Sequence, residues 1–168
     1  MANSCILLVS VLGTKVSGPT TYLVVDGAMT ELIRPALYGA SHLVVPCTSG
    51  DSLVECSLVG PVCESADTLA NDVKLPKLKQ GEDSWVWVWN LNLFFDDKCP
   101  IVGDLLAIMD CGAYVGSMAS NYNLRPRVWE ILVDGDKTEV IAHRETLENM
   151  MQRFNIGEGD QKKMNFKM

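Results

Sequence analysis

Histidine is scarce in this chain of 168 residues, and its cysteines are irregularly spaced. His42 and His143 are the only two histidines, and no Cys-x-x-Cys pair occurs. Zinc sites and disulfide frameworks usually need regularly spaced cysteines or several histidines, so we expect neither a metal site nor a disulfide scaffold. Reduced thiols in an intracellular compartment fit the pattern better. The six cysteines are Cys5, Cys47, Cys56, Cys63, Cys99 and Cys111.

The chain also lacks basic clusters and long apolar runs. Fourteen lysines and arginines face 21 acidic residues, and the formal net charge is -7. Because the sequence has no cluster of lysines and arginines that could follow a phosphate backbone, nucleic acid is not an expected partner. No run approaches the roughly 18 apolar residues of a membrane span. The stretch from Cys5 to Leu12 has no basic residue before it and is interrupted by Ser10, which favours a buried strand over a signal peptide.

A hydrophobic content of 48% with 21% charged residues predicts a packed core. Most apolar runs are short, rich in Val, Ile and Leu, and bounded by turn-forming residues, which is typical of strands. The sequence therefore predicts a mainly β chain, a barrel or sandwich with a few short helices. The predicted strands are Ile6 to Leu12, Tyr22 to Val25, His42 to Val45, Leu53 to Val59, Leu105 to Met109, Val128 to Val133 and Thr138 to Ala142, the last two joined at Asp134-Gly135.

Two segments have helical patterns. Ala28 to Tyr38 is short and is interrupted by Pro35, which has no N–H to donate. Thr146 to Phe154 begins at a good N-cap residue and is followed by Gly157, a typical stop. The polar residues 158–168 are expected to fray as a tail.

The segment from Gln80 to Asp104 differs from the rest of the chain. Trp85, Trp87 and Trp89 alternate at strand spacing and would form one large apolar face. Three interpretations are open: an edge strand that covers a partner, an aromatic ladder that binds sugar, or an insertion never selected to pack.

A thiol and a carboxylate, Cys63 and Glu64, follow a predicted strand and the turn at Gly60-Pro61. Catalytic groups are often found at such strand ends. A cysteine there could donate a proton, and the glutamate could bind an ammonium group. The plainer alternative is a small buried cysteine beside a solvated glutamate.

Three further side chains are candidates for binding. Arg34 and Tyr38 are four residues apart on one helix face, where they could clamp a carboxylate or simply pack together at the surface. Tyr114 follows the small residues Gly112 and Ala113, which let the backbone approach a ligand closely. Its alternative is a tyrosine of the core.

Considered together, these residues resemble the diaminopimelate decarboxylases, pyridoxal-phosphate enzymes of lysine biosynthesis that belong to the fold type III decarboxylases. The order Cys-Glu-Ser-x-Asp is similar to the diaminopimelate branch, whereas ornithine-type relatives usually have aspartate after the cysteine. The resemblance extends from about Ala2 to Phe154, apart from the tryptophan segment. It depends on four stretches: Val25 to Met29 running into Leu32 to Ala40, Val59 to Asp67, Gly103 to Leu106 leading to Gly112 to Tyr114, and Ser117 to Pro126.

The resemblance implies a C-terminal β-barrel or Greek-key-like domain that works beside an N-terminal (β/α)8 barrel in a homodimer. It implies that Cys63 donates the proton that completes the reaction and that Glu64 binds the substrate ammonium. Arg34 and Tyr38 would bind the substrate carboxylate, and Tyr114 would contact both substrate and cofactor. The implied cofactor is pyridoxal 5'-phosphate, and the implied substrate is meso-diaminopimelate.

This sequence departs from the family pattern in two ways. The barrel is absent, and with it the lysine that would bind the cofactor covalently, so the isolated chain is expected to be inactive. Residues 81–102 have no counterpart in the family pattern, and their codons can be written with intron-like boundaries. We therefore expect a β domain over residues 1–157 with either a retained intron or a true insertion inside it. Spliced transcripts that keep these codons would contradict the intron hypothesis.

The resemblance thus implies that this chain is half of a decarboxylase that converts meso-2,6-diaminopimelate to L-lysine and carbon dioxide. The alternative is an inactive β-domain module that dimerises or caps a full-length partner. Cytoplasm and plastid are both open as locations, because a targeting peptide would precede the missing barrel.

Overall fold

The computed structural model describes residues 2–48, 53–78 and 103–154. Its strands are β1 Leu7–Ser17, β2 Thr20–Val25, β3 Val44–Pro46, β4 Leu53–Val59, β5 Thr68–Pro76, β6 Leu105–Ile108, β7 Glu130–Asp134 and β8 Lys137–Ala142. Its α-helices are α1 Arg34–Tyr38, α2 Val115–Met118 and α3 Leu147–Met151, and two 3-10 turns span Ala2–Ser4 and Tyr122–Leu124.

Six strands form one sheet in the order β3-β6-β1-β2-β4-β5. Neighbours are antiparallel except β2 and β4, which run parallel. The two outer strands, β3 and β5, contact each other, so the sheet nearly closes on itself. The predicted mainly β, barrel-like fold is therefore confirmed.

The core fills the inside of this sheet. Along β1, Leu7, Val9 and Val11 are buried while Leu8 is exposed, which is the alternation of a strand with one face inward. Leu58 on β4 and Leu106 on β6 are fully buried in the same cluster. Burial of such side chains contributes about 1.5–3 kcal/mol each, and this apolar interior holds the strands in register.

Strand β5 was not predicted from the sequence. Its buried leucines, Leu69 and Leu75, are separated by a stretch that includes the exposed polar residues Asn71 and Asp72. Asp72 also has a positive φ of 53°, and the pairing of β5 with β4 shifts register nearby. The irregularity breaks the simple alternation by which strands are recognised in a sequence.

The two helical predictions were too long. Only Arg34–Tyr38 of the first segment is helical, with Pro35 in its first turn and Gly39 in the left-handed conformation at its end. The second helix covers Leu147–Met151 and begins, as predicted, at Thr146, which forms a reciprocal capping box with Asn149. Residues up to Phe154 form turns instead, and Gly157 lies outside the described residues.

The predicted hairpin is present as β7 and β8, and it stands apart from the main sheet. Of the two expected turn residues, Asp134 and Gly135, only Gly135 has a positive φ, at 62°. Every residue of β7 is exposed, and in β8 every residue except Ala142 is exposed. Apolar side chains of this hairpin therefore face outward in the described part of the chain.

The tryptophan segment and the polar tail lie outside the described residues, so their predicted character is untested. In the ranges that the structure does describe, no helix is long and apolar enough to cross a membrane.

Candidate active site

A tight loop after β4 presents the first two candidate residues. Cys63 and Glu64 are both exposed, which excludes the buried cysteine considered above. The Ala66 N–H and the Ser65 hydroxyl donate to Glu64 Oε1 over 3.3 and 3.1 Å. These hydrogen bonds, the backbone one first, lower the pKa of the Glu64 carboxyl. Glu64 is therefore ionised at neutral pH beside an accessible thiol.

Tyr122 reaches the same carboxylate from a distant part of the chain. Its hydroxyl donates to Glu64 Oε2 over 3.4 Å, although 58 positions separate the two residues. The 3-10 turn Tyr122–Leu124 holds the ring there, with Asn123 and Leu124 in left-handed conformations. Glu64 is thus positioned by its own loop and by a second segment.

Helix α1 and the start of α2 present the other candidates. The Arg34 guanidinium lies over the Tyr114 ring, with its carbon 5.8 Å from the ring centroid. Tyr114 precedes α2 with a positive φ of 69° and is 57% exposed, so it is not a core tyrosine. Tyr38 ends the same helix as Arg34 and is also largely exposed. The structure therefore brings Arg34 and Tyr114 together, and Cys63 and Glu64 together.

A buried ionic network supports the chain that leads into α1. Arg125 Nη2 lies 3.6 Å from Glu31 Oε2 and donates to the Asp26 carbonyl over 2.6 Å. Arg125 Nε donates to the Thr30 hydroxyl, which in turn donates to Glu31 Oε1. Burial raises the pKa of the Glu31 carboxyl, and the positive charge of Arg125 opposes that rise.

Asp67 closes the loop that carries Cys63. Its carboxylate accepts the Val62 N–H over 2.8 Å and the Met29 N–H over 2.6 Å. Burial raises the pKa of this carboxyl, while the two N–H groups and Arg125 act in the opposite direction. The loop after β4 and the segment before α1 therefore meet at one side chain.

The candidate residues form an open surface. A pocket of about 630 Å³ beside the loop includes Glu64, Ser65 and Asp67 in its lining. Cys63, Arg34, Tyr38 and Tyr114 do not line it. Cys63, Tyr38 and Tyr114 are exposed at the surface of the described part of the chain.

The described residues fit a pyridoxal cofactor only in part. Tyr114 offers an exposed ring that can lie against an aromatic ligand. Of the described lysines, three lie in strands and one follows β5: Lys15 is opposite Tyr22, Lys74 opposite Glu55 and Lys137 opposite Asp134, and Lys77 comes directly after Pro76. In the described ranges no group of three His, Cys, Asp or Glu side chains could hold a metal ion.

A family model described as the pyridoxal-dependent decarboxylase C-terminal sheet domain matches residues 2–91. The chain belongs to the pyridoxal-dependent decarboxylase family. The match covers the Cys63 loop and α1, and the resemblance inferred from the sequence motifs is confirmed.

Several members of this family are similar to the chain over most of its length. The diaminopimelate decarboxylase of Archaeoglobus fulgidus is 36% identical over 160 residues, which cover 94% of this chain and 33% of that protein. The crystal structure of the Helicobacter pylori diaminopimelate decarboxylase complexed with L-lysine is 36% identical, with a TM-score of 0.73, and the match covers 90% of this chain and 32% of that chain. The crystal structure of AQ1208 from Aquifex aeolicus has a TM-score of 0.77 at 31% identity, covering 93% and 34% of the two chains.

The chain therefore spans about a third of the length of the curated decarboxylases that it matches. Four residues that organise the site in this family member, Tyr122, Asp67, Glu31 and Arg125, were not among the predicted site residues. All but Glu31 lie inside motif stretches that carry the resemblance, between Val59 and Asp67 or between Ser117 and Pro126. Their place inside these motifs could have identified them as site residues, because composition alone does not distinguish them from other polar residues.

Proposed function

We propose that the protein to which this chain belongs converts meso-2,6-diaminopimelate to L-lysine and carbon dioxide, using pyridoxal 5'-phosphate. The chain contributes the β-domain half of the active site. The observation that carries the proposal is the exposed pair Cys63 and Glu64 on a hydrogen-bonded loop, with the pKa of the Glu64 carboxyl lowered by hydrogen bonds. Relatives named diaminopimelate decarboxylase support this choice of substrate.

The two ends of the substrate need opposite partners. Diaminopimelate carries both an ammonium and a carboxylate at the end that does not react. Lysine carries only an ammonium at the corresponding end of its side chain. Glu64 binds the ammonium, and Arg34 with Tyr38 binds the carboxylate. A site that pairs both groups can distinguish the substrate from a plain basic amino acid, because an unpaired polar group is costly.

Loss of carbon dioxide leaves a carbon that must receive a proton. When bound, the cofactor supplies the ring that takes up the electrons of the broken bond. Cys63 has the accessible thiol to act as the acid, and Tyr114 contacts both substrate and cofactor. The lysine that holds the cofactor comes from the barrel domain.

A dimer would complete the site. An open surface with exposed ionisable groups is what a chain offers when the opposite wall belongs to another domain or subunit. We therefore propose that Cys63 and Glu64 reach into the site of the neighbouring subunit of a homodimer.

One experiment tests the central proposal. The purified chain is mixed with pyridoxal phosphate and meso-diaminopimelate, alone and with a separately expressed barrel domain of a matching relative. Carbon dioxide released only in the second mixture supports the proposal. Carbon dioxide from the chain alone would contradict it, as would a folded complex of the two parts that releases none.

A second candidate function is a non-catalytic module that dimerises or caps a full-length partner. The exposed apolar side chains of β7 and β8, among them Ile131, Val133 and Ile141, favour a covering partner. Sedimentation of the chain with an intact decarboxylase, together with an assay of that enzyme's activity, distinguishes the candidates. A capping module would bind the intact enzyme and lower its activity.

A further inference from the structure

We infer that Asp67 is a positioning residue that fixes the Cys63 loop against the segment leading to Arg34. The inference rests on the proposed function for its catalytic consequence, whereas its structural basis is independent of that function. Asp67 does not face the substrate groups itself. It acts through the two backbone segments that its carboxylate joins.

The geometry of Asp67 is unusual for a carboxylate next to a surface loop. The side chain is only 3% exposed, and each of its oxygens accepts one backbone N–H, from Val62 and from Met29. Val62 immediately precedes Cys63, and Met29 lies five residues before Arg34. A single side chain thereby sets the separation between the proposed proton donor and the proposed carboxylate clamp.

The backbone of Asp67 adds to this attachment. Its N–H donates to the Glu64 carbonyl over 3.1 Å, and its carbonyl accepts the Gly60 N–H over 3.0 Å. The loop is therefore closed at both ends by the same residue. A buried carboxylate is costly unless it is hydrogen-bonded, and here charge-assisted bonds from both segments offset that cost.

Gly60 makes room for the carboxylate. A Cβ built on Gly60 would overlap both carboxylate oxygens of Asp67. A side chain at position 60 must therefore displace the carboxylate without changing its charge. This gives a second, independent way to break the same attachment.

Three other charged side chains, Arg125, Glu31 and Glu64, lie near the two segments that Asp67 joins. Arg125 and Glu31 bind the segment before α1 through the Asp26 carbonyl, the Thr30 hydroxyl and the Ala28 N–H. Glu64 and Arg125 influence Asp67 by charge, in opposite directions. Asp67 itself accepts hydrogen bonds from both the loop and the segment before α1.

The test uses the whole chain, labelled with nitrogen-15, and amide hydrogen exchange. Asp67→Asn retains one acceptor oxygen and loses the other, and Gly60→Ala displaces the carboxylate. In Gly60→Ala we expect both the Met29 and Val62 amides to exchange about tenfold faster or more, and in Asp67→Asn at least one of them. The sheet amides of Val11 and Met109, which donate to Asp104 and Leu43, should change less than about twofold.

Asp72→Asn is the matched control, since this exposed aspartate lines the same pocket. It should leave all four amides unchanged. Unchanged exchange at Met29 and Val62 in Asp67→Asn would overturn the inference. Equal acceleration at Val11 and Met109 would overturn it too, because the effect would then be a general loss of stability.

The catalytic consequence is measured in the mixture with the barrel domain. Asp67→Asn should raise KM for meso-diaminopimelate about tenfold or more while cofactor absorbance is unchanged. A KM that stays at its original value, with exchange at Met29 or Val62 accelerated, would overturn the positioning role. If the mixture shows no decarboxylation with the unaltered chain, the proposed function fails while the exchange experiment still decides whether Asp67 joins the segments.

Discussion

The guanidinium carbon of Arg34 lies 5.8 Å from the centroid of the Tyr114 ring. Arg34 begins helix α1, and Tyr114 precedes α2 in a left-handed conformation, so the contact joins two short elements that are 80 positions apart. A cation over an aromatic face stabilises by about 0.5–1 kcal/mol at an exposed site. The contact is thus weak as a stabilising force, but it orients the planar guanidinium beside an exposed phenol.

Arg34→Lys should weaken substrate binding in the mixture with the barrel domain. A lysine keeps the charge but cannot pair with a carboxylate through two parallel hydrogen bonds or stack flat on Tyr114. We expect KM to rise about tenfold or more with a smaller change in kcat. Arg153→Lys is the matched control, since Arg153 lies over the Phe154 ring at 5.6 Å in another part of the fold. Equal effects of the two substitutions would contradict the binding role.

Cys63→Ala should remove most of kcat, by about 100-fold or more, because the acid that returns the proton is lost. Cofactor absorbance should stay the same, since the thiol does not hold the cofactor. Cys47→Ala, which also removes an exposed thiol, should leave kcat unaltered. An active Cys63→Ala enzyme would mean that another group protonates the product.

Glu64→Gln should raise KM more than Tyr122→Phe does. The first change removes the charge that binds the substrate ammonium, whereas the second removes only a 3.4 Å hydrogen bond to that carboxylate. We expect about tenfold to 100-fold for Glu64→Gln and a few-fold for Tyr122→Phe. Glu55→Gln, at an exposed position of β4, is the control. The reverse order of the two effects would show that Tyr122 binds the substrate itself.

Arg125→Met should destabilise the chain by about 3 kcal/mol or more, because it leaves Glu31 buried without its ion-pair partner. Urea unfolding at neutral pH measures the loss. Adding Glu31→Gln to Arg125→Met should recover part of it, since the second change removes the unpaired charge. Arg127→Met, at an exposed position two residues away, should shift the midpoint little. No recovery in the double variant would show that the ion pair is not what Arg125 contributes.

Cys111 should make the fold less stable at high pH. Burial raises the pKa of its thiol to about 11 from an ordinary value of 9.0, so between these values the folded chain keeps a proton that the unfolded chain releases. Stability is therefore present below pH 9 and falls as pH rises toward 11, by about 1–2 kcal/mol. Urea midpoints from pH 8 to 11 should fall less steeply for Cys111→Ala than for the unaltered chain. Cys47→Ala should follow the unaltered chain, and parallel curves for all three would exclude Cys111 as the cause.

The regular strands could be predicted because their patterns are local. On β1, the alternation of Leu7, Val9 and Val11 with outward residues specifies a strand with one buried face. Strand β5 has the same inward leucines but interrupts them with Asn71 and Asp72, so its pattern is visible only once β4 lies beside it. The helix predicted from Ala28 is shorter for a local reason. The Leu32 N–H donates to the Ala28 carbonyl, but Pro35 has no N–H to continue this pattern to the Glu31 carbonyl, so α1 begins only at Arg34.

The sequence by itself determined the mainly β composition, the family and the candidates Arg34, Tyr38, Cys63, Glu64 and Tyr114. Short motifs carry that information because each encodes a turn, a cap or a reactive pair within a few residues. The tertiary structure decided which candidates meet and what holds them. The hydrogen bond from Arg125 to Thr30 spans 95 positions, that from Tyr122 to Glu64 spans 58, and that from Met29 to Asp67 spans 38. No local pattern specifies such pairs, because they form only when burial of the sheet's apolar face brings distant segments together.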